Sequence, residues 1–168
     1  MIRRAHQIAV SLFLEETGEL GITTTQYGIL LLLRERPGID QISVAKLLGL
    51  DRSTTGMVLT KLEEAGFVGR TVGAHDRRRR TLALTRAGEK MLESLSEPAR
   101  RARARLLSAF EPHERTQFLD LLAKFTRTFN DSTRVPLEAH RAKERWDSES
   151  PQPNRSRNGA NGKASYAK

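Results

Sequence analysis

LLGLDRSTTGMVLTKLEEAGFVGRTVGAHDRRRRTLALTRAG, residues 47–88, changes its hydrophobic period midway. Before Gly66 the pattern is helical, and after it the pattern is that of strands. A short helix is expected around Ser43 to Leu48, with Val44, Ala45 and Leu48 inward. Gly49 suits the left-handed position that closes it. Asp51 is a good N-cap for the next helix, about Arg52 to Ala65, whose inward residues would be Val58, Leu62 and Ala65. Two short helices joined by a tight glycine-containing turn form a helix-turn-helix signature. Phe67 to Val72 then reads as a strand, Gly73-Ala74-His75-Asp76 as a turn, and Thr81-Leu82-Ala83-Leu84 as a returning strand. The arginines 77–80 fall at the tip of this hairpin.

Working outward, Ile2, Ala5, Ala9, Leu12 and Phe13 lie at helical spacing, and Gly18 and Gly21 end that helix. Thr23-Thr24-Thr25-Gln26 fits a capping box in which Thr23 accepts from the Gln26 backbone N–H. The apolar run from Tyr27 to Arg34 should be buried on most sides until Pro37-Gly38 stops it. Downstream, Thr85 fits an N-cap. Leu92, Leu95, Ala99, Ala102, Leu106 and Ala109 repeat at 3,4,3,4,3, the spacing of a helix-packing seam. Pro98 inside that stretch predicts a kink or a break. Pro112 fits the first turn of a last helix whose Phe118, Leu121, Leu122, Phe125 and Phe129 share one face. The expected organisation is a helical region at 1–22 and 107–130, a winged helix-turn-helix at 23–86 and a long connecting helix at 86–110. A linker or short helix at 131–146 and a disordered tail at 147–168, rich in Ser, Asn, Pro and Gly, complete the chain. The fold class is mainly α with a small β-hairpin wing.

The 168 residues suffice for one core, and a formal charge of +9 (29 Lys and Arg against 20 Asp and Glu) suits a polyanionic partner, most plausibly nucleic acid. A basic solvated surface is the plainer reading of the same excess. No run approaches the roughly 18 apolar residues of a membrane span, and nothing after Met1 reads as a signal peptide. Cys is absent, which excludes disulfides, thiolate metal sites and thiol redox sensing, and fits a cytoplasmic location. The four histidines, His6, His75, His113 and His140, are scattered and do not pair at metal-ligand spacing, so no metal and no cofactor are expected. No Ser-His-Asp signature, glycine-rich phosphate loop or His-Glu metal motif points to an enzyme.

The chemistry of the central stretch suits double-stranded DNA. The second helix is of a size to enter the major groove and read base edges. Arg52, Ser53, Thr54 and Thr55 occupy its N-terminal turn, where backbone N–H groups also face phosphate, and Lys61 lies further along. Simple capping is the alternative role for Ser53 and Thr54. From Arg70 to Arg86 there are six arginines and one aspartate. An arginine inserted into the narrow, electronegative minor groove is strongly favoured. Asp76 suits the holding of a neighbouring arginine by a charged hydrogen bond. A sequence-independent architectural DNA binder remains the rival, favoured by the charge and opposed by the polar face of the second helix.

On these residues the stretch from Leu47 to Gly88 resembles the MarR family of transcriptional regulators. That family shows Asp-x-Arg on the wing, a strand ending Leu-Thr and a glycine in the next helix, here Asp76, Arg78, Leu84-Thr85 and Gly88. Leu62-Glu63, Gly66, Val68, Arg70 and, upstream, Thr25-Gln26 are similar as well. The resemblance covers about residues 1–130. It implies a homodimer built from the first and last helices, and Arg78 as the minor-groove residue. Arg77, Arg79 and Arg80 flank it, so the run leaves open which arginine enters. Phe118, Leu122, Phe125 and Phe129 offer more apolar surface than an end helix needs, which a dimer would bury. Two-fold symmetry predicts a pseudo-palindromic operator with half-sites about one helical turn apart.

The resemblance also implies a small-molecule effector, and the chain is read as a repressor released by it. Arg3-Arg4-Ala5-His6-Gln7 with Phe13 resembles a branch responding to aromatic acids or their coenzyme A thioesters. His6 and Phe13 share a helix face at i, i+7, and Tyr27 starts the second helix. A partly exposed histidine beside core aromatics is the plainer reading. Arg100, Arg101, Arg103 and Arg105 suit either an anionic ligand group or a solvated helix face.

Overall fold

Thr23 opens the helix that anchors the molecule. Its hydroxyl accepts from the Gln26 N–H at 3.2 Å, and the Gln26 side chain accepts from the Thr23 N–H at 2.9 Å. This is the expected capping box. The computed structural model of the chain describes residues 1–72 and 80–130. The expected linker at 131–146 and tail at 147–168 lie outside the described residues, as do Asp76, Arg77, Arg78 and Arg79.

In chain order the elements are α1 (Ile2–Thr17), a single 3-10 turn (Gly18–Leu20), α2 (Thr24–Glu35), β1 (Ile39–Asp40), α3 (Gln41–Leu48) and α4 (Arg52–Glu64). They continue with β2 (Val68–Val72), β3 (Arg80–Leu84), α5 (Arg86–Leu107) and α6 (Pro112–Thr128). The fold class is as expected, mainly α with a small antiparallel sheet, of strand order β1-β3-β2. β1 was not expected. It is two residues long, pairs Ile39 with Leu82 and Asp40 with Thr81, and runs straight into α3, which Asp40 caps through the Ser43 N–H at 2.8 Å.

The core forms where α2 meets the other elements. Ile29, Leu30, Leu32 and Leu33 of α2 are buried with Val44 and Leu47 of α3, Leu59 and Leu62 of α4, Val68 and Leu82 of the sheet, and Leu92 and Leu95 of α5. Burying each such side chain stabilises by about 1.5–3 kcal/mol relative to exposure. Leu59 and Leu62 therefore hold α4 firmly against the body.

Several sequence expectations shift by a fraction of a turn. On α4 the buried face is Thr55, Leu59 and Leu62; Val58 is half-buried and Ala65 is exposed. On α3 it is Leu47, not Leu48, that is fully inward. Ile2 and Ala5 of α1 are exposed, and the buried residues there are Phe13 and Thr17. Pro98 does not break α5, which runs uninterrupted from Arg86 to Leu107. Leu92, Leu95 and Ala102 are its buried seam, against α1 and α2. A proline removes one N–H and one ladder bond, and the packing along this seam outweighs that loss. Among the described residues no helix is long and apolar enough to cross a membrane.

Candidate nucleic-acid interface

The turn between α3 and α4 is set by two residues. Gly49 takes φ 63°, and its N–H caps α3 on the Ala45 and Lys46 carbonyls. Asp51 then starts α4, accepting from the Thr54 N–H at 2.9 Å and the Thr54 hydroxyl at 2.6 Å. These bonds, the hydroxyl's first, hold the Asp51 carboxyl below its usual range. The Thr54 hydroxyl is thus engaged in capping, the alternative role foreseen for it. The Thr54 N–H is also taken, so it is not an open phosphate donor.

Thr55 requires a correction. It is fully buried, and its hydroxyl donates to the Asp51 carbonyl at 2.8 Å. A residue of that spacing falls on the core face beside Leu59, so it does not belong to a DNA-facing set. Arg52, Ser53 and Lys61 are exposed on α4. Met57 and Thr60 are exposed there too, and sequence reasoning passed over both. They lie opposite the inward face of Thr55, Leu59 and Leu62, from which the expected face of Val58, Leu62 and Ala65 is rotated by about a sixth of a turn.

The wing is a ladder from Val68↔Leu84 to Val72↔Arg80. Arg80 pairs with Val72 at the end of the described ladder, and it is exposed. The Thr71 and Thr81 hydroxyls meet across the strands at 2.8 Å. Arg70 on β2 makes an ion pair with Glu63 near the end of α4, tying the wing to the helix before it. At the base of the wing the Thr85 hydroxyl donates to the Gly66 carbonyl at 2.6 Å and accepts from the Gly88 N–H at 3.1 Å. The Thr85 N–H donates to the Phe67 carbonyl at 3.0 Å. Helix α4, the hairpin and α5 are joined at this point.

The residues expected to meet an effector are brought together only in part. The Phe13 and Tyr27 rings lie 5.4 Å apart at 39° where α1 meets α2. Phe13 is buried and Tyr27 half-buried. His6 is exposed two turns earlier on α1, about 10.5 Å along the axis at 1.5 Å per residue. The basic cluster on α5 is neither a bare face nor an open anion cradle. Arg101 donates to Glu16 at 2.7 Å, and Arg105 donates to Glu16 at 2.9 Å and to Glu15 at 2.8 Å. Arg100 pairs with Glu97 at 2.9 Å. An incoming phosphate would compete with these carboxylates. Arg101 first, then Arg105, hold the Glu16 carboxyl below its usual range. Sequence reasoning missed this clamp because its partners are some 85–90 positions apart.

The outer helix α6 stands apart from the core. It begins with a capping box between Glu111 and Glu114 and carries Pro112 in its first turn. None of its residues is buried. Phe118, Leu121, Leu122, Phe125 and Phe129 are 37–57% exposed, a degree of apolar exposure along one helix that marks an interaction surface.

Comparison with known proteins agrees with this architecture. The sequence profile of the MarR family matches residues 22–79. A probable transcriptional regulator from Pseudomonas aeruginosa is 30% identical, with 74% of this chain and 92% of that one superposed at a TM-score of 0.70. The transcriptional repressor CouR, solved on a 23-mer DNA duplex, is 31% identical over 74% of this chain and 89% of its own, also at 0.70. CouR from Rhodococcus jostii RHA1, solved with p-coumaroyl-CoA, aligns at 26% identity over 74% and 87% with a TM-score of 0.64. The transcriptional regulator HosA of Escherichia coli O127:H6 is 28% identical over 107 residues, 64% of this chain and 79% of HosA. With the helix-turn-helix, the hairpin wing and these relatives in agreement, the chain belongs to the MarR family and is a DNA-binding transcriptional regulator.

Proposed function

We propose that the chain is a homodimeric repressor that binds a pseudo-palindromic operator and leaves it when a small aromatic acid, or its coenzyme A thioester, binds. The observation that carries the DNA-reading part is the seating of α4: Thr55, Leu59 and Leu62 face the core while Arg52, Ser53 and Lys61 are exposed. Ser53 and Lys61 fall to the groove and its phosphates, and Arg52 to a flanking phosphate. The wing arginines, Arg78 foremost among Arg77 to Arg80, serve the minor groove, with Asp76 as the positioning partner. Residues 23–86 form the DNA-binding unit, and 86–110 the connector. The regions 1–22 and 107–130 supply the dimer contact, for which the uncovered apolar face of α6 is the support. The regulator acts in the cytoplasm.

The effector is assigned to the α1–α2 junction. Phe13 and Tyr27 offer ring surface there, with His6 a donor at the rim, and CouR's complex with p-coumaroyl-CoA provides the chemical class. The test is release. The chain bound to a fluorescent operator duplex is titrated with p-coumarate and with p-coumaroyl-CoA while anisotropy is followed. A saturable fall in anisotropy with either, weakened by Tyr27→Ala, supports the reading. Undisturbed binding across a series of aromatic acids and thioesters contradicts the effector class and leaves DNA binding standing.

A further inference from the structure

The exposed ridge of α4 has an unusual member. Ser53, Met57, Thr60 and Glu64 follow one another at steps of four, three and four residues, and all four are exposed. Those steps align residues along one side of a helix. The side lies opposite Thr55, Leu59 and Leu62, which the core holds. Met57 is 61% exposed, more than any other described large apolar residue between Ile8 and Phe129. Among the described residues it is no part of the core.

A helix that reads DNA leaves its outward ridge in contact with base edges. We propose that Met57 is a specificity-determining residue that reads the methyl group of a thymine in each half-site of the operator. The inference rests on the assignment of α4 as the helix that enters the major groove. Its chemistry is restrictive. A thioether donates no hydrogen bond and accepts only weakly. In the major groove guanine and adenine present acceptors and donors that a methionine would cover without satisfying, which costs free energy. Thymine presents a C5-methyl group, the one apolar feature among the base edges. Methionine's three rotatable bonds let the side chain seat against that methyl without a rigid fit.

The neighbours suit the same role. Ser53 stands one turn before Met57, and Thr60 one turn after it; both are short and uncharged, so neither holds the helix away from the bases. Glu64 ends the ridge with a charge that the phosphate backbone repels, which confines the contact to the first two and a half turns of α4. Met57 is six residues beyond the Asp51 cap, about 9 Å along the axis at 1.5 Å per residue. That places it within the N-terminal half of the helix, where base contacts concentrate.

The test removes the methyl from the DNA. The full-length chain selects its site from a random-sequence duplex pool. Each thymine of the selected operator is then replaced in turn by deoxyuridine, which differs only in lacking C5-methyl. Burial of one such group is worth about fourfold in affinity. The expected result is one thymine in each half-site at which deoxyuridine weakens wild-type binding about fourfold. Met57→Ala should bind the thymine and deoxyuridine duplexes equally at that position, with an unchanged melting temperature. If Met57→Ala retains every deoxyuridine effect seen with the wild type, or if no thymine is sensitive, Met57 is not a methyl reader, and the DNA-binding assignment is untouched. If selection yields no preferred sequence at all, the assignment of α4 as a reading helix fails, and this inference with it.

Discussion

A Cβ placed on Gly88 would lie 2.1 Å from the carbonyl oxygen of Phe67. The first turn of α5 and Phe67, which lies between the Gly66 turn and β2, are therefore in backbone contact, closer than any side chain permits. The same Phe67 carbonyl accepts from the Thr85 N–H at 3.0 Å, so it cannot swing aside without losing that bond. This explains a glycine inside a helix at a place where its φ demands nothing special. The contact fixes the direction in which α5 departs from the wing.

Gly88→Ala should accordingly destabilise the fold by about 1–3 kcal/mol or more, as other overpacked sites do. Urea unfolding followed by circular dichroism measures it. A midpoint equal to wild type would show that the α4–α5 junction has slack that the geometry does not indicate.

The clamp of Glu16 on Arg101 and Arg105 gives a pH dependence. The Glu16 carboxyl is held below its usual range by Arg101 first and Arg105 next. A depressed folded-state value means that the contribution is fully present above the ordinary glutamate range and is lost as pH falls through the lowered value. Both guanidiniums are about half exposed, so the effect is modest and weakens with salt. Thermal unfolding between neutral and acid pH should show Glu16→Gln less stable than wild type at neutral pH, with the two converging in acid. Curves that stay parallel down to the lowest pH would contradict the clamp.

The apolar face of α6 predicts an assembly. Phe125 is 49% exposed and Leu122 47%, so Phe125→Glu removes nothing from the core described for one chain. Sedimentation should show wild type as a dimer and Phe125→Glu as a folded monomer with much weakened operator binding. A variant that remains dimeric would move the dimer contact away from this face.

Arg78→Ala is expected to weaken binding to the specific operator by about 1–3 kcal/mol, the usual cost at a base-contacting arginine, with no change in melting temperature. Anisotropy titrations of Arg77→Ala, Arg78→Ala, Arg79→Ala and Arg80→Ala at one salt concentration compare the four. Equal, small losses at all four would assign the run to the phosphates instead of the minor groove.

Much of the architecture was legible because its signals are local. Capping at Thr23, Asp51 and Thr85 connects each cap to a residue three positions on, and each cap is present in the structure. Gly49 and Gly66 take φ 63° and 74°, as chain reversals at helix ends require. What escaped was nonlocal or finely phased. β1 is visible only through its pairing with Leu82 and Thr81. The Glu16 clamp joins the first helix to the fifth. On α4, choosing Val58 and Ala65 over Thr55 and Leu59 rotated the expected face by a fraction of a turn. A threonine reads as polar in sequence, yet Thr55 satisfies its hydroxyl on the Asp51 carbonyl and is buried. Thr55 stands in the first turn of α4 with Arg52, Ser53 and Thr54, and that position, not the helix face, is what groups it with the DNA-facing residues in sequence.

We propose that α4 and the wing recognise DNA by its sequence. The most direct test is fluorescence anisotropy of the full-length chain at fixed salt, on the duplex flanking its own gene and on a scrambled duplex of equal length. The expected result is a preference of about 100-fold or more for the flanking duplex, within the range that separates specific from random binding. If the flanking duplex shows no preference, and a site selected from random sequence binds no better than the scrambled control with the same salt slope, the claim is contradicted and the chain is a sequence-independent DNA binder.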